Sequence, residues 1–519
     1  MYPSLAEVNQ IAQRSGCRRV PVCEELLADR YTPVEVMRTL RSASHHCFLL
    51  ESAGQAEGDS PRWGRWSFLG CNPTMEIVCQ GGELRVRAPS WPPRSRHSAV
   101  RGGELRVRAG AEGEPQFEEV RHVDHPGQYL REVIEANRTA HVEGMPPFTG
   151  GMVGYFSFEY LRYAEPTLAQ DGLPGDFRDM DLMLFDQVIA FDHDRQRLMV
   201  IAGVRTADIE ASYAEARLTI ERIVTLLEGG TKAFFPRLSL ARELAPRFEE
   251  RQFCKLVERA KAYIREGDIF QVVLSNPLAA PAEGSLLDTY RVLRTTNPSP
   301  YMVYFTSDDV EIVGASPETL ARLDDGVLRT FPLAGTRPRG ESAEDDAALE
   351  AELLADEKEL AEHNMLVDLG RNDLGRVCAL GSVRVDEYLK VRRFSRVMHI
   401  GSVVEGRIAP DKDAVDAIDA ILPAGTLSGA PKLRACQIIA ELEGARRGVY
   451  GGAIGYLDFT GNMDTCIGIR LAYKKNGQVC VQSGAGIVAD SVAENEFREC
   501  RNKAAAVVDA IRRAQGGVR

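Results

Sequence analysis

The chain has 519 residues, of which 44% are hydrophobic and 27% are charged, and its formal net charge at pH 7 is −12. These proportions are those of a globular protein large enough for two or three domains, and they exclude a disordered or fibrous chain. The acidic balance argues against sequence-independent binding of nucleic acid, which requires a basic field.

The first 230 residues alternate predicted helices and strands. Apolar residues at helical spacing predict helices over 30–41, 128–141 and 207–229, whereas 46–53 and 182–191 have the pattern of strands. Residues 229–248 are rich in Gly, Pro and charge, so we place a boundary there. The boundary divides the chain into an N-terminal region, 1–240, and a C-terminal region, 241–519.

The second region also mixes both element types. A helix is predicted over 250–267, and strands are predicted over 269–278, 301–307, 310–316 and 477–486. Because the order lacks a strict strand–helix–strand rhythm, we expect an α+β (mixed α/β) fold with antiparallel or mixed sheets covered by helices.

Two further features concern organisation and compartment. The octamer GGELRVRA occurs at 81–88 and again at 102–109; it predicts either matching hairpin strands or an exposed duplicated loop, and the polar spacer favours the loop. The eleven cysteines include no CxxC pair, and the sequence has neither a signal-like segment nor an 18-residue apolar run. We expect a cytoplasmic protein with reduced thiols and no membrane partner.

Two pairs of glutamates, each three residues apart, lie in predicted helices. Glu359 and Glu362 share one helix face, and Glu496 and Glu499 share another. Carboxylate oxygens from two helices can hold one Mg²⁺ ion. Each pair alone is more typical of a solvated helix face, so both interpretations remain open.

Glycine-rich loops follow predicted strands at two places. Residues 422–429 contain Thr426 in a small flexible loop, and Gly484 and Gly486 follow a strand in the second loop. Backbone N–H groups in such loops can bind an anion, although a plain turn has the same composition. Neither loop matches the phosphate-binding GxxxxGK[ST] pattern.

Three single residues are candidates for chemistry. His399 lies in an apolar strand, where a histidine usually has a structural role. Arg470 also lies in an apolar strand, and a buried arginine requires an anionic partner from the protein or from a ligand. Glu318 ends a predicted strand after a turn of small residues, a place where a carboxyl with a raised pKa can be held.

With these motifs described, the chain resembles component I of anthranilate synthase, a family of chorismate-utilising enzymes. Twelve motifs occur in the family's order: LLESA, GRWSFLG, GYFSFEY, GDIFQVVLS, NPSPYM, GASPE, AGTRPRG, DEKELAEHNMLVDLGRND, VMHIGS, PAGTLSGAPK, YGGAIGY and SGAGIVADS. The resemblance implies two sheets sandwiched between helical layers, a tryptophan-sensing N-terminal region and a chorismate-binding, Mg²⁺-dependent C-terminal region.

Two positions address the choice of nucleophile. In the sibling aminodeoxychorismate synthases a nucleophilic lysine stands where this chain has Ala334, and isochorismate and salicylate synthases have a base lysine where it has Gln271. The resemblance therefore implies that ammonia itself attacks chorismate and that the product is anthranilate.

The resemblance also assigns roles to residues. Glu359, Glu362, Glu496 and Glu499 are expected to surround Mg²⁺. Glu318 is expected to be the general acid, with His399 and Thr426 as further catalytic residues. The chorismate-binding residues are expected to be Gly335, Thr336, Thr426, Tyr450, Arg470, Gly484, Ala485 and Gly486.

Regulation and partners follow from the same resemblance. It implies feedback inhibition by tryptophan bound by Glu51, Ser52, Asn297, Pro300, Tyr301 and Met302. Because the chain has no glutaminase signature, the resemblance implies a separate glutamine amidotransferase subunit, component II, that delivers ammonia in a heterotetramer. The alternatives are an aminodeoxychorismate or isochorismate synthase, which Ala334 and Gln271 disfavour, and a non-catalytic tryptophan sensor.

Overall fold

The computed structural model of the protein describes residues 1–53, 64–88, 104–109, 115–168, 172–393 and 397–518. Its helices are α1 Leu5–Ser15, α2 Pro33–Ala43, α3 Gly127–Ala136, α4 Leu161–Ala164, α5 Ile209–Gly229, α6 Glu250–Arg265, α7 Leu287–Thr296, α8 Ala343–Ala355, α9 Glu357–Gly375, α10 Ala414–Ile421, α11 Lys432–Glu443 and α12 Ala493–Gln515. Within these described ranges, every helix is too short or too polar to cross a membrane.

The strands before residue 240 are β1 Arg19–Leu27, β2 Cys47–Glu51, β3 Trp66–Cys71, β4 Met75–Gln80, β5 Glu83–Ala88, β6 Glu104–Ala109, β7 Pro115–His122, β8 Gly151–Phe156, β9 Met180–Phe185, β10 Gln187–Asp192, β11 Arg197–Arg205 and β12 Ser239–Leu240. The later strands are β13 Ala245–Pro246, β14 Gln271–Glu283, β15 Tyr301–Thr306, β16 Val310–Ser316, β17 Thr319–Asp324, β18 Val327–Thr330, β19 Leu333–Pro338, β20 Arg384–Arg393, β21 Val397–Arg407, β22 Gly429–Ala430, β23 Ala453–Asp458, β24 Met463–Ile467, β25 Leu471–Lys475 and β26 Gln478–Ile487.

These strands form two large antiparallel sheets. The first runs in the order β1-β11-β10-β3-β2-β15-β16-β25-β26-β14-β12, and the second runs β19-β21-β18-β17-β24-β23-β8-β9-β4-β5-β7-β6. Aromatic and aliphatic side chains from both sheets pack face to face, as in the contact of Phe48 on β2 with Phe185 on β9, whose ring centroids lie 4.7 Å apart. This shared core joins the sheets because it removes apolar surface of both from water.

Helices cover the outer faces of the sheets. Apolar residues of α1, α2, α5, α7 and α12 pack on the first sheet, and those of α3, α9 and α10 pack on the second. The predicted architecture, two sheets sandwiched between helical layers in an α+β fold, is confirmed.

Strands from both sides of residue 240 share each sheet. β2 pairs with β15, so that Glu51 lies opposite Met302, and β8 pairs with β23 in the second sheet. The division into 1–240 and 241–519 therefore stays a prediction about function, and strand pairing crosses it in both sheets.

The duplicated octamer contributes two strands to one sheet. β5 and β6 pair with opposite edges of β7, with Glu83 opposite His122 and Glu104 opposite Val120. The prediction of an exposed loop was wrong for these residues, because each copy alternates apolar and polar side chains in the pattern that a strand requires. Residues 89–103, the spacer, lie outside the described residues.

Candidate active site

Residues 484–486 were predicted to form a loop after a strand, and this was wrong: they lie within strand β26 and pair with β14. Gly484 is opposite Ser275, and Gly486 is opposite Val273. A Cβ atom on Gly484 would lie 2.7 Å from the backbone oxygen of Leu274 and 2.7 Å from the hydroxyl of Tyr450. Only glycine allows this close approach, so the two predicted ligand-binding elements, Tyr450 and the 484–486 segment, are in contact.

Glu318 and Thr426 meet although they are far apart in the sequence. The Thr426 hydroxyl donates to Oε1 of Glu318 over 3.1 Å. Burial raises the pKa of Glu318 to about 7, and the Thr426 bond and the charges of Lys503 and Arg470 limit the rise. A carboxyl with this pKa holds a proton near neutral pH and can transfer it, which is the property required of a general acid.

His399 is held by Gly335 and Thr336, two of the residues expected to bind chorismate. Its Nδ1 lies 2.8 Å from the carbonyl oxygen of Gly335 and 3.1 Å from the Thr336 hydroxyl. Because a carbonyl can only accept, Nδ1 carries the proton that bonds to it. Burial lowers the pKa of His399, so the neutral ring is favoured.

Position 335 requires glycine because the backbone there passes close to Leu353 and Glu359. Its φ is +65°, and an added Cβ would lie 3.2 Å from Oε2 of Glu359 and 2.9 Å from Leu353. This contact places the 335–336 stretch directly beside the first predicted glutamate pair.

Arg470 is half-buried between the predicted catalytic and metal-binding groups. Its φ of +52° is uncommon for a residue other than glycine, and its guanidinium donates to the backbone oxygen of Lys503. Burial lowers the pKa of Arg470, while the nearby Tyr450, Glu499 and Glu318 favour its charge. A half-buried cation among these groups suits an anionic ligand.

The four predicted metal-binding glutamates come together from α9 and α12. Burial and the charges of Glu359 and Glu499 raise the pKa of Glu362. Burial and the Glu499 charge also raise the pKa of Glu496, against the lowering effect of a Ser491 hydrogen bond. Oxygen donors with unfavourable mutual repulsion fit a hard divalent cation, which relieves that repulsion.

Two basic residues contact this cluster of Glu359, Glu362, Glu496 and Glu499. The Lys503 ammonium lies 2.6 Å from Oε1 of Glu499, and Arg337 lies 3.8 Å from Glu359. Lys503 was missed by the sequence reasoning. Its position four residues after Glu499 on a helix is the signal that could have identified it.

A different group of described residues brings potential ligand atoms within 4.8 Å of one another: His46, Glu76 and Asp308. The chain thus has a candidate metal-holding group away from the predicted one. Arg87 donates to Glu76 over 3.0 Å and also to Asp308, and His46 bonds Asp308 over 2.8 Å. These carboxylates are already neutralised by protein cations, so the group functions as an ion-pair network.

Ala334 and Gln271, the two positions that are expected to decide which nucleophile attacks chorismate, both lie beside residues of the site. Ala334 is 9% exposed and pairs with Ile400, next to His399. Gln271 is 5% exposed, and its amide nitrogen would lie 2.7 Å from a Cβ on Gly486. Neither side chain can attack chorismate or activate water as a lysine would.

The predicted tryptophan-binding residues lie around a separate cavity. Glu51, Ser52, Pro300, Tyr301 and Met302 line an opening of about 760 Å³ of empty space that is continuous with solvent. Asn297, the sixth predicted residue, is not among those lining the cavity; it ends α7.

The walls of this cavity are aromatic and carry both charges. Trp66, Phe68 and Tyr456 line it together with Arg322 and Asp464. This combination suits a ligand with an aromatic ring and both charges of an amino acid.

Glu51 already has donors from the protein. Arg294 donates to its two oxygens over 2.9 and 3.1 Å, Ser67 donates over 3.2 Å, and the Tyr290 hydroxyl also donates. Asp464, which accepts from Tyr301 over 2.7 Å, is the second carboxylate at the cavity.

The sequence and the fold match known proteins over nearly the whole chain. The family described as chorismate binding enzyme matches residues 95–509, so the chain belongs to the chorismate-binding enzymes. The chain is 40% identical to anthranilate synthase component 1 of Acetivibrio thermocellus, covering 99% of both chains. It is also 40% identical to the Pseudomonas aeruginosa protein of the same name, with 97% of each chain covered.

Solved structures agree with this placement. Anthranilate synthase component I from Streptococcus pneumoniae TIGR4 superposes with a TM-score of 0.71 at 36% identity, over 87% of this chain and 93% of that one. The menaquinone-specific isochorismate synthase of Escherichia coli, at 19% identity and a TM-score of 0.65, shares the fold over 98% of this chain and 99% of that one. Within its family the chain is thus a chorismate-utilising enzyme of the anthranilate synthase component 1 type, as its motifs predicted.

Proposed function

We propose that the chain converts chorismate and ammonia into anthranilate, pyruvate and water at the site formed by Glu318, Thr426, His399, Tyr450 and Arg470. The observation that carries the proposal is the contact of Glu318 with Thr426: a half-buried carboxyl, whose pKa burial raises to about 7, lies among groups suited to an anionic substrate. The neutral Ala334 and Gln271 support ammonia as the nucleophile.

Binding of chorismate requires its two carboxylates to be held. Arg470 and the Tyr450 hydroxyl would hold the enolpyruvyl carboxylate, and backbone N–H groups of the 484–486 segment would add donors. Gly335, Thr336 and Thr426 would contact the remainder of the substrate. The ring carboxylate would lie toward α9 and α12.

The four glutamates of α9 and α12 are suited to hold Mg²⁺. When bound, the ion would neutralise the ring carboxylate and the glutamates that otherwise repel it. Lys503 would balance the charge of Glu499, which it already contacts.

The reaction then depends on proton transfer by Glu318. Ammonia adds at ring C2 while the C4 hydroxyl leaves, and the Glu318 proton converts that poor leaving group into water. The C2 proton is lost as the enolpyruvyl C–O bond breaks, pyruvate departs and the ring becomes aromatic. Neutral His399, whose one proton is bonded to the Gly335 carbonyl, would orient the departing group.

The supply of ammonia and the regulation complete the proposal. A glutamine amidotransferase subunit, component II, would deliver ammonia within a heterotetramer. Tryptophan would bind in the cavity lined by Glu51, Ser52, Pro300, Tyr301 and Met302, whose aromatic walls and opposite charges support this ligand. Inhibition would then be a coupling between that cavity and the catalytic site.

The test is product analysis of the purified chain with chorismate, Mg²⁺ and ammonium. We expect anthranilate fluorescence and pyruvate in equal amounts, both suppressed by tryptophan. Ala334→Lys should lower anthranilate formation at least about 100-fold because the lysine fills the space for ammonia, whereas Ala355→Lys on the exposed end of α8 should not. Isochorismate or an aminodeoxychorismate as product would refute the proposal, and tryptophan binding without turnover would indicate a sensor.

A further inference from the structure

A buried ion pair between Arg447 and Glu443 lies behind the proposed chorismate site. Arg447 is 2% exposed and Glu443 is 4% exposed. The guanidinium Nε donates to Glu443 over 2.9 Å, and the other two nitrogens donate over 2.7 Å to the backbone oxygens of Leu427 and Val273. One side chain thereby joins α11 to the 425–427 loop and to β14.

Glu443 connects the ion pair to β14 and, through Ser275 of that strand, to β26. It accepts from the backbone N–H of Ser275 over 2.7 Å and from the Ser275 hydroxyl over 2.9 Å. The same hydroxyl accepts from Gln482 on β26 over 2.8 Å, and Ser275 is the ladder partner of Gly484. Two hydrogen bonds therefore link the ion pair to Gln482 on β26, two residues before Gly484.

The guanidinium also contacts the aromatic side of the site. It lies 4.7 Å from the ring centroid of Phe158 and 5.6 Å from that of Tyr450. Leu427, whose carbonyl it bonds, directly follows Thr426, the donor to Glu318. The pair thus touches the segments that carry Thr426, Tyr450 and residues 484–486 without reaching the substrate position itself.

Burying two charges costs several kcal/mol per ion, and an apolar pair of similar volume is often equally stable. A buried arginine that bonds a carboxylate on one segment and backbone carbonyls on two others is instead suited to fixing the relative positions of the three. We propose that Arg447 and Glu443 are positioning residues that hold the Thr426 loop, Tyr450 and the 484–486 segment in register for chorismate. This role rests on the proposed function.

The test compares Arg447→Lys with Arg446→Lys. Lysine at 447 keeps the charge but cannot bond Glu443 and both carbonyls at once. Arg446 is the adjacent arginine, and its side chain pairs with the buried Asp179 rather than with a segment of the site. We expect kcat/KM for chorismate to fall about 10- to 100-fold in Arg447→Lys and less than about threefold in Arg446→Lys.

The pH profile separates positioning from stability. The Thr426 bond lowers the pKa of Glu318, and so do the charges of Lys503 and Arg470, which the substitution leaves in place. A displaced Thr426 loop would weaken that bond, so the alkaline limb of kcat/KM should move to higher pH in Arg447→Lys. Equal losses in both variants, or an alkaline limb identical to that of the wild type, would overturn the proposal.

Two further measurements keep the outcome decisive. If Arg447→Lys does not fold, Glu443→Gln provides the comparison, because it keeps the shape and the Ser275 acceptor but removes the charge; the same shift and a smaller loss are expected. If the wild type makes no anthranilate, the proposed function fails. The ion pair is then judged by calorimetry with chorismate: binding at least about tenfold weaker in Arg447→Lys alone supports positioning, and equal binding refutes it.

Discussion

Replacing Glu318 by glutamine should remove activity and increase stability. The side chain is half-buried and accepts a 3.1 Å bond from Thr426, and burial raises its pKa to about 7. Glutamine has nearly the same shape, and its oxygen can accept the same bond. It cannot supply a proton, so we expect the rate of anthranilate formation to fall about 10²- to 10⁴-fold.

The stability change follows from the direction of the pKa shift. A move from 4.5 to about 7 corresponds to about 3 kcal/mol, because each tenfold change in acidity is about 1.4 kcal/mol. Below pH 4.5 the carboxyl is protonated in both states and costs nothing. As the pH rises toward 7, only the unfolded state ionises, so the wild type loses stability, and above about 7 the loss is complete.

Urea unfolding at several pH values measures this difference. The advantage of Glu318→Gln over the wild type should grow between pH 4.5 and about 7 and then remain constant near 3 kcal/mol. Glu221→Gln on the exposed part of α5 is the control and should change neither stability nor activity. A Glu318→Gln protein that keeps more than about a tenth of the activity, or whose stability follows the wild type at every pH, would refute the reasoning.

Three further predictions concern the metal, the cavity and Gly484. Glu359→Gln should raise the Mg²⁺ concentration for half-maximal turnover at least about tenfold, and an unchanged Mg²⁺ titration would remove this residue from the metal site. Tyr301→Phe deletes the hydroxyl that donates to Asp464 over 2.7 Å, so the tryptophan concentration for half-inhibition should rise about threefold or more; identical inhibition and calorimetric affinity would contradict the assignment. Gly484→Ala places a methyl group 2.7 Å from a backbone oxygen and should raise KM for chorismate at least about tenfold, whereas Gly229→Ala, which meets nothing within 4 Å, should not; equal KM values would contradict the close packing.

The local spacing of apolar residues was sufficient to predict many helices and strands of the fold. Apolar spacing identified α2, α5 and α6, and strand patterns identified β2, β15 and β16, because each carries a clear period of 3.6 or 2. The pairing of the strands was not predictable in this way. β2 meets β15 across some 250 residues of chain, and nothing in the local sequence of either specifies the other.

The site, too, was predictable from the sequence only in part. The motif positions Glu318, Thr426 and His399 were predicted; the structure joins Glu318 to Thr426 by a hydrogen bond, and the charge of Arg470 acts on both Glu318 and His399. The elevated pKa of Glu318 depends on burial by segments from across the chain, so the sequence contained only the carboxyl. The sequence around Arg447 did not indicate its role. That role depends on the backbone carbonyls of Leu427 and Val273, which lie far from Arg447 in the sequence and come together only in the folded chain.

Incubation with chorismate, Mg²⁺ and ¹⁵N-labelled ammonium, followed by mass spectrometry of the products, tests the central claim most directly. The account predicts anthranilate carrying one ¹⁵N atom, with one pyruvate formed for each chorismate consumed. Unlabelled isochorismate, a labelled aminodeoxychorismate that retains the enolpyruvyl group, or unchanged chorismate would contradict it.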